Sequence, residues 1–385
     1  MLYIVSTVEP IPFIDGDVEP WRSQSLAIKA KSLEKNVVFF ISSFNHYNKA
    51  FRRKSDIIEY KERYGIDLKF IPSIGYKRNI SIRRIANYLL QATYLFFYFL
   101  FLSRRKDALL LTIPAIEHVI CLFTFRGRTT IDYRDLWPDI FISENRGLKS
   151  LLLSVYFYSC RVLLSFGFSK CLRIVTISTE FKKHLCESYS CVAPDKVFVL
   201  TQNRFSNGIA CKFHIGSKLN KLHANYVYAG KISERTGVTD FIAKLLNHPV
   251  FSGTIHICGS GDDLAVERLK CLISDYPHAI YHGLLDKEKL NEIYLNSDIG
   301  IIPYPNHVDF RMALPNKFFE YLSVGLRIGH SGLYSITNNA LIDESALAFN
   351  VFTDELQPPS ISPYHLLGKF NENYENAQNS VLRYL

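Results

Sequence analysis

Residues 314–325 read LPNKFFEYLSVG and carry a lysine where the start of a helix disfavours positive charge. Pro315 suits the first turn of a helix and Gly325 suits its end. Asn316 and Lys317 therefore lie where backbone N–H groups are unpaired and the helix dipole is positive. Because an anion bound there would remove the repulsion, we expect an anionic ligand at this helix start.

The same stretch has an apolar side and a polar side when it is drawn as a helix. The polar side contains Asn316, Lys317, Glu320 and Ser323. One interpretation is a solvated surface helix with a weak Lys317–Glu320 ion pair. The other is a site where Lys317 meets a phosphate and Glu320 accepts hydrogen bonds from the hydroxyls of a sugar. The apolar strand pattern DIGIIPY (298–304) just before it favours the second, because it places the helix start at the end of a sheet.

The apolar pattern predicts two α/β domains. Short apolar runs alternate with helical patterns over residues 2–178, which is typical of a parallel sheet with helices on both faces. The turn-rich segment 203–224 interrupts this series, and a second alternating series follows over residues 226–325. We therefore place the domains at residues 1–205 and 206–365.

The cysteine pattern and the charge distribution argue against some classes of function. The eight cysteines form no CxxC motif and no metal-ligand spacing with histidine, which argues against a zinc site and favours a reducing, cytoplasmic setting. The start of the chain lacks the pattern of a signal peptide. Residues 1–210 hold 30 lysines and arginines against 18 acids, a net charge of +12. No nucleic-acid-binding motif is present. The positive charge therefore indicates either an anionic membrane surface as a partner or no anionic partner at all.

Two apolar segments of this basic half could span or contact a membrane. Residues 85–102 are 18 residues without a charged side chain, which is the lower limit for a bilayer span. A polar stripe and basic residues at both ends favour a buried or interface-lying helix instead. Residues 148–168, with Arg161 in the middle, suit either a surface that contacts lipid headgroups or an ordinary core helix.

PNKFFEYLSVG is similar to the nucleotide-sugar-binding helix of the GT-B glycosyltransferases of the large retaining family 4. The segments of the second domain that resemble this family are YVYAGKISERTGVTDFI (226–242), HICGSGDD (256–263) and YHGLLDKEKLNEIYLNSDIGIIPY (281–304). In the first domain, SSFNHYNKAFR (42–52) and IDYRDLWPD (131–139) resemble members that build bacterial surface polysaccharides. FNENYENAQNSVLRYL (370–385) resembles the helix that crosses back onto the first domain.

The resemblance implies an α/β GT-B fold of two facing, doubly wound Rossmann-like domains. The N-terminal domain would bind the acceptor and the C-terminal domain the nucleotide-sugar, while residues 366–385 would form a helix packed on the N-terminal domain. The implied catalytic residues are Lys231, Lys317 and Glu320. The implied donor-binding residues are Gly230, Arg235, Gly259, Gly261, Pro315, Asn316 and Ser323.

The sequence departs from the family pattern at three places. Met312 stands where many relatives have the first of two glutamates, so only Glu320 is present. Thr236 stands where relatives often have a lysine in the diphosphate loop, with Arg235 one residue early. A histidine common at the end of the fourth strand is missing, and His118 one turn later is either an ordinary helix-terminal residue or a catalytic one.

Acceptor-side residues are expected in the first domain. The sequence Asp15-Gly16-Asp17 resembles a metal-binding DxD motif, but it follows the first strand and not an inner one, so we interpret it as a glycine turn that approaches the acceptor or the leaving phosphate. The expected acceptor-side residues are Gly16, Asp17, Arg22, Arg134 and Asp135. For Arg134, a salt bridge that caps the next turn is an equal alternative.

The function implied is sugar transfer, with retention, from a nucleotide-diphosphate donor to a glycan or polyprenyl-diphosphate-linked acceptor. The setting would be synthesis of lipopolysaccharide, capsule or exopolysaccharide by a protein peripheral to the inner face of the cell membrane. We expect no metal or other cofactor, because Lys231, Arg235, Lys317 and a helix dipole can neutralise a diphosphate. The alternatives are a non-catalytic assembly partner with this fold and a nucleotide-sugar epimerase.

Overall fold

The computed structural model describes residues 1–16, 20–78, 81–113, 115–139, 148–201, 220–312, 314–337, 347–354 and 363–385. The chain divides into two compact units. The first contains Met1–Gln202 and Glu375–Leu385, and the second contains Asn203–Tyr374. Each is a parallel sheet covered by helices, so the prediction of two α/β domains from the alternating apolar pattern is confirmed.

The first unit has seven strands and five helices among the described residues. The strands are β1 Leu2–Val5, β2 Val37–Ser42, β3 Asp67–Ile71, β4 Ala108–Ile113, β5 Arg128–Tyr133, β6 Arg173–Thr176 and β7 Val197–Val199. The helices are α1 Arg22–Ser32, α2 Ser55–Tyr64, α3 Ile82–Leu102, α4 Leu148–Lys170 and α5 Thr179–Ser188, with 3-10 helices at Ile116–Phe123 and Pro194–Lys196. The strand order is β3-β2-β1-β4-β5-β6-β7. Every residue of β2 and β4 is buried, as expected for strands covered on both faces.

The second unit has a six-stranded parallel sheet. Its strands are β8 Tyr226–Ala229, β9 Ile255–Cys258, β10 Ala279–Gly283, β11 Ile299–Ile302, β12 Arg327–His330 and β13 Ala348–Asn350. Its described helices are α6 Val238–Leu246, α7 Asp263–Ile273, α8 Lys287–Leu295, α9 Val308–Arg311, α10 Asn316–Ser323 and α11 Tyr334–Thr337, with a 3-10 helix at Glu234–Thr236. The strand order is β10-β9-β8-β11-β12-β13.

The strand order of each sheet reverses beside its first strand, between β1 and β4 and between β8 and β11. In such sheets ligands bind at the carboxyl ends of the strands on either side of this switch point. In the second unit β8 pairs with β9 along all four of its residues, but with β11 only at Tyr226 and Val227. The two strands therefore separate at their carboxyl ends, at the switch point.

The last helix, α12 Pro363–Tyr384, ends in the first unit. Its Leu382 carbonyl accepts a hydrogen bond from Lys35 Nζ at 2.8 Å. The ring of Tyr384 lies 5.4 Å from that of Phe198, and the Arg173 guanidinium lies 4.5 Å from the Tyr384 ring centroid. The C-terminal residues thus pack on the first unit, as expected from the resemblance.

Helix α3 is partly buried and partly exposed. Gln91, Leu95 and Phe99 are fully buried, and the Phe99 ring lies 5.3 Å from that of Tyr3 in β1. Among the described residues, α3 is also the one helix long and apolar enough to cross a membrane. Its buried side belongs to the α/β layer of the first unit.

Candidate functional site

Two glycine-containing loops run side by side at the carboxyl edge of the second sheet. The Ile232 N–H donates to the Ser260 carbonyl at 3.0 Å. A Cβ atom on Gly259 would lie 1.9 Å from the carbonyl oxygen of Gly230, and one on Gly261 would lie 1.7 Å from that of Ile232. Only glycine permits this approach, so Gly259 and Gly261 set the distance between the loops that follow β8 and β9.

The loop after β8 presents Lys231 and Arg235 on its exposed side. The Lys231 ammonium lies 3.0 Å from the Asp262 carboxylate, and both side chains are exposed. Arg235 lies in the short 3-10 helix after this loop and is also exposed. Thr236, in contrast, is buried and forms a capping box with Ser233. Thr236 is therefore a structural residue of this short helix, while the neighbouring Arg235 lies on the exposed surface.

Pro315 is the N-cap residue of α10, and the helix begins at Asn316. Asn316 is exposed, and proline offers no side-chain acceptor for the first N–H groups. The Lys317 ammonium lies 2.7 Å from Glu320 Oε2, with side-chain exposures of 21% and 43%. The i, i+3 ion pair allowed by the sequence is therefore formed, and it compensates the lysine charge within the helix.

Tyr294 contacts Glu320, although no sequence motif indicates it. Its hydroxyl donates to Glu320 Oε2 at 3.3 Å, and its ring is buried. Burial and the Glu320 carboxylate both raise the pKa of Tyr294, so it remains a neutral donor. Because Tyr294 lies on α8, 26 residues before Glu320, no local spacing reveals the contact.

Tyr321 holds α10 at the switch point. Its hydroxyl accepts a hydrogen bond from the Ala229 N–H at 3.0 Å, where β8 no longer pairs with β11. Its ring packs on Gly300, where a Cβ atom would lie 2.3 Å from the ring. Gly300 therefore lets the helix approach β11, and the start of α10 is fixed beside the end of β8.

Lys317 also lies near the end of β9. Burial raises the pKa of the Cys258 thiol to about 11, and the Lys317 ammonium acts in the opposite direction. Since the Cys258 carbonyl accepts a hydrogen bond from the Gly230 N–H at 2.9 Å, the starts of the two glycine loops and of α10 are neighbours. Ser323 is separate from them, because it is buried and its hydroxyl donates to the Phe319 carbonyl at 2.7 Å.

A buried ionic network occupies the carboxyl edge of the first sheet. The side chains of Arg22 and Asp132 are 0% exposed, and Arg22 Nε donates to Asp132 Oδ2 at 3.3 Å. Arg134 Nε donates to the same oxygen at 2.8 Å, and its guanidinium also pairs with buried Glu9. Arg22 is thus paired with one carboxylate and Arg134 with two, which for Arg134 is the salt-bridge alternative. The acceptor-side role of the two arginines stays a prediction.

The aspartates predicted at this edge have different environments. Gly16 forms an open turn with a φ of +115°, as the glycine-turn interpretation requires. The Asp15 side chain is buried, pairs with Arg52 at 2.5 Å and accepts the Ile11 N–H at 2.7 Å, so it holds the loop after β1. Asp17 lies outside the described residues. Asp135 is exposed just after β5.

His118 is fully buried in the 3-10 helix Ile116–Phe123. Its Nε2 lies 3.1 Å from Gln91 Oε1. Burial lowers the pKa of His118 to about 3, so the ring is neutral near pH 7 and is a structural residue. Within the described part of the chain, no three His, Cys, Asp or Glu side chains are grouped to hold a metal ion.

The fold resembles those of several solved glycosyltransferases. WaaG, a glycosyltransferase of lipopolysaccharide biosynthesis, is 12% identical over 100% of this chain and 92% of its own, with a TM-score of 0.55. The lipopolysaccharide outer core galactosyltransferase WaaB, in its apo form, is 14% identical over 98% and 99%, with a TM-score of 0.58. HepE from Anabaena, solved with UDP-glucose, is 11% identical over 98% and 91%, with a TM-score of 0.51.

In sequence, no protein-family model and no curated protein matches the chain. The similarity to the solved structures nevertheless extends over both units and includes both parallel sheets. The chain therefore has the two-domain, Rossmann-like GT-B fold.

Proposed function

We propose that this protein transfers a sugar from a nucleotide-diphosphate donor that binds at the carboxyl edge of the second sheet. The observation that carries the proposal is the Lys317–Glu320 pair on α10, a helix that Tyr321 joins to the end of β8, just before Lys231, in a fold shared with glycosyltransferases. The two lysine ammonium groups and the N–H groups at the start of α10 can bind the two phosphates of such a donor. Glu320, held by Tyr294, suits the hydroxyls of a sugar.

The existing ion pairs favour an exchange of partners when the donor binds. Lys231 pairs with Asp262 on the exposed surface, where such a pair contributes at most about 1 kcal/mol. A diphosphate carries more charge than one carboxylate, so it would replace Asp262 at Lys231 at small cost. At Lys317 the same exchange would release Glu320 to accept hydrogen bonds from the donor sugar.

The chemistry we propose is transfer with retention, as in the family that the sequence resembles. The bond between the anomeric carbon and the diphosphate oxygen breaks, and the acceptor hydroxyl bonds to that carbon on the same face. The departing diphosphate takes the hydroxyl proton. Lys231, Lys317 and the N–H groups at the start of α10 stabilise the charge on the leaving group, so no metal ion is required.

The acceptor we propose is a glycan or a polyprenyl-diphosphate-linked glycan of surface-polysaccharide synthesis. Support comes from WaaG and WaaB, whose activities belong to lipopolysaccharide synthesis, and from the segments that resemble polysaccharide-building enzymes. Such an acceptor would be carried by a membrane, and the first unit, with most of the excess positive charge, would bind it.

Saturation-transfer NMR on the full chain is expected to show binding of nucleotide-diphosphate sugars with excess EDTA present. Slow release of the sugar to water should follow, while the matching nucleoside monophosphate should bind about tenfold more weakly or worse, since it lacks one phosphate. Failure of every donor to bind would contradict the proposal and favour a non-catalytic partner. An isomerised sugar without transfer would favour an epimerase, and binding lost in EDTA would refute metal independence.

We also propose that α3 contacts the cytoplasmic face of an anionic membrane. Phe97 and Phe101 are 52% and 77% exposed on its outer side. They help to line an open, apolar groove of about 460 Å³, whose lining residues are Pro72, Leu90, Thr93, Tyr94, Phe97, Tyr98, Phe101 and Leu102. The exposed basic residues 104–106 follow at once. An apolar stripe beside clustered cations suits a bilayer with anionic headgroups, which attracts each cation by about 1 kcal/mol.

The double substitution Phe97→Asp and Phe101→Asp is expected to weaken vesicle binding by about tenfold or more, because each phenylalanine contributes roughly 1.5–3 kcal/mol when it leaves water. The measurement is co-sedimentation with phosphatidylglycerol vesicles, with phosphatidylcholine vesicles for comparison. Leu264→Asp is the matched control, since Leu264 is 78% exposed on α7 of the second unit. Equal binding by the double variant and the control would contradict the proposed membrane face.

A further inference from the structure

A second group of cations lies in the first unit, apart from the buried network of Arg22 and Arg134. Its members come from the loop after β2, the segment after β3 and the first turns of α3, and we name it the tyrosine–cation cluster: His46, Lys49, Tyr76, Arg84 and Tyr88. Since β2 and β3 are parallel neighbours, their carboxyl ends bring these segments together.

Tyr76 is the centre of the cluster. The Lys49 ammonium lies 4.9 Å from the Tyr76 ring centroid, and the Arg84 guanidinium carbon lies 5.8 Å from it. His46 Nδ1 lies 2.7 Å from the Tyr76 hydroxyl. Arg84 Nε also donates to the Tyr88 hydroxyl at 3.0 Å. Neutral aromatic groups thus hold two cations at one place, where each is attracted to the face of a ring.

The electrostatic environment of the cluster is positive. Burial lowers the pKa of Lys49, and the Arg84 charge lowers it further. Burial and the charges of Lys49 and Arg84 lower the pKa of His46 to about 4, so His46 is neutral near pH 7. The carboxyl group that faces Arg84 is Glu117, which is buried, accepts the Tyr156 hydroxyl at 2.6 Å and has a pKa raised by burial. A bound dianion would relieve the repulsion between Lys49 and Arg84.

The loop that carries Lys49 has a fixed and strained backbone. Lys49 has a φ of +57°, in the left-handed region that favours glycine, and its N–H donates to the Asn45 carbonyl at 3.1 Å. Asn45 Oδ1 accepts the Tyr47 N–H at 2.7 Å, and Phe44 and Phe51 close the loop as a bridge. Strain held by surrounding contacts is common at binding sites, and here it is on the lysine itself.

We propose that the tyrosine–cation cluster binds a phosphate or diphosphate ester, the anionic end of the acceptor. This inference rests on the proposed function, because a transferase needs a site for its acceptor. Lys49 and Arg84 pair with the phosphate oxygens, and the Tyr76 hydroxyl and neutral His46 lie beside them. The exposed ring of Tyr47, 5.2 Å from His46, offers a face for the adjoining sugar.

Isothermal titration of the full chain with inorganic pyrophosphate and with geranyl diphosphate tests the proposal. The background is Lys317→Ala, so that the second unit contributes little to pyrophosphate binding. In that background, Lys49→Ala and Arg84→Gln are each expected to weaken both probes by about tenfold or more, as for one lost charge-assisted contact. Lys69→Ala is the matched control, since Lys69 lies 5.2 Å from the Tyr98 ring centroid in the same unit, and it should change nothing.

The two probes separate the two sources of such an ester. Tighter binding of geranyl diphosphate supports a lipid-linked acceptor, and equal binding supports a soluble sugar phosphate. The proposal would be overturned if Lys49→Ala and Arg84→Gln bound the two probes as tightly as Lys69→Ala does. It would also be overturned if the Lys317→Ala background bound neither probe. Lys49→Ala should keep donor binding by NMR, so failure of this site is distinguishable from failure of the donor site.

Discussion

Replacement of Lys317 or Glu320 by alanine is expected to lower kcat for sugar transfer by about a hundredfold or more while the fold stays intact. Lys317→Ala removes an ammonium group from a side chain that is 21% exposed, at the place where the proposed leaving diphosphate would gain charge. Glu320→Ala removes the carboxylate that Tyr294 contacts and that, in the proposed complex, Lys317 releases to the donor sugar. The measurement is steady-state transfer with the donor identified by NMR.

The matched control is Lys289→Ala, because Lys289 forms an i, i+3 pair with Asp286 in the same unit at 3.5 Å. Both of its partners are exposed, so its loss should leave kcat unchanged and lower stability by a few tenths of a kcal/mol at most, about 0.2–0.5. If Lys317 and Glu320 only stabilise their helix, all three variants will behave alike. Near-normal kcat in Lys317→Ala and Glu320→Ala would therefore refute the donor site.

The sequence predicted the architecture of each unit because the residues of a strand themselves indicate whether that strand is buried. Runs such as VVFFIS in β2 and ALLLTI in β4 are apolar on both faces, and only a strand covered by helices on both sides suits them. The start of α10 was equally visible, since Pro315 and Gly325 mark its two ends within one short segment.

The buried ionic network could not be predicted, because its partners are far apart in the chain. Arg22 and Asp132 are separated by 110 residues, and Arg134 and Glu9 by 125. Charges at the carboxyl end of a strand look the same in sequence whether they bind a ligand or each other. The sequence therefore predicted the position of Arg22 at this edge of the sheet but not its pairing with Asp132.

Ser323 shows a different limit of prediction from sequence, one that arises within a single helix. Helical periodicity placed it on the polar side with Asn316 and Glu320, which are both exposed. A serine in a helix can also donate to the carbonyl four residues earlier, and Ser323 does so with Phe319. That bond satisfies the hydroxyl and allows its burial, so periodicity alone does not separate a ligand-facing serine from a satisfied one.

The substitution Asp132→Asn is expected to lower the free energy of unfolding of the first unit by about 3–5 kcal/mol, the usual effect of removing one partner from a buried ion pair. The amide keeps the size of the carboxylate, so little packing changes. Arg22 and Arg134 would remain buried with Glu9 as the carboxylate still bonded to Arg134. Urea denaturation measures the effect. Asp67→Asn is the control, because Asp67 pairs with Lys61 at 2.8 Å on the surface and should cost less than about 1 kcal/mol.

The pH dependence of this difference tests its electrostatic origin. Burial raises the pKa of Asp132, but Arg134 and Arg22 outweigh burial and hold it below the ordinary aspartate value. A carboxyl group with a lowered pKa stabilises the fold at pH values above its unfolded pKa, and this stabilisation is lost as the pH falls through the folded pKa. The gap between wild type and Asp132→Asn should therefore stay constant near pH 7 and shrink only in acid. If Asp132→Asn were as stable as Asp67→Asn yet inactive in transfer, Arg22 and Arg134 would be acceptor-side residues after all.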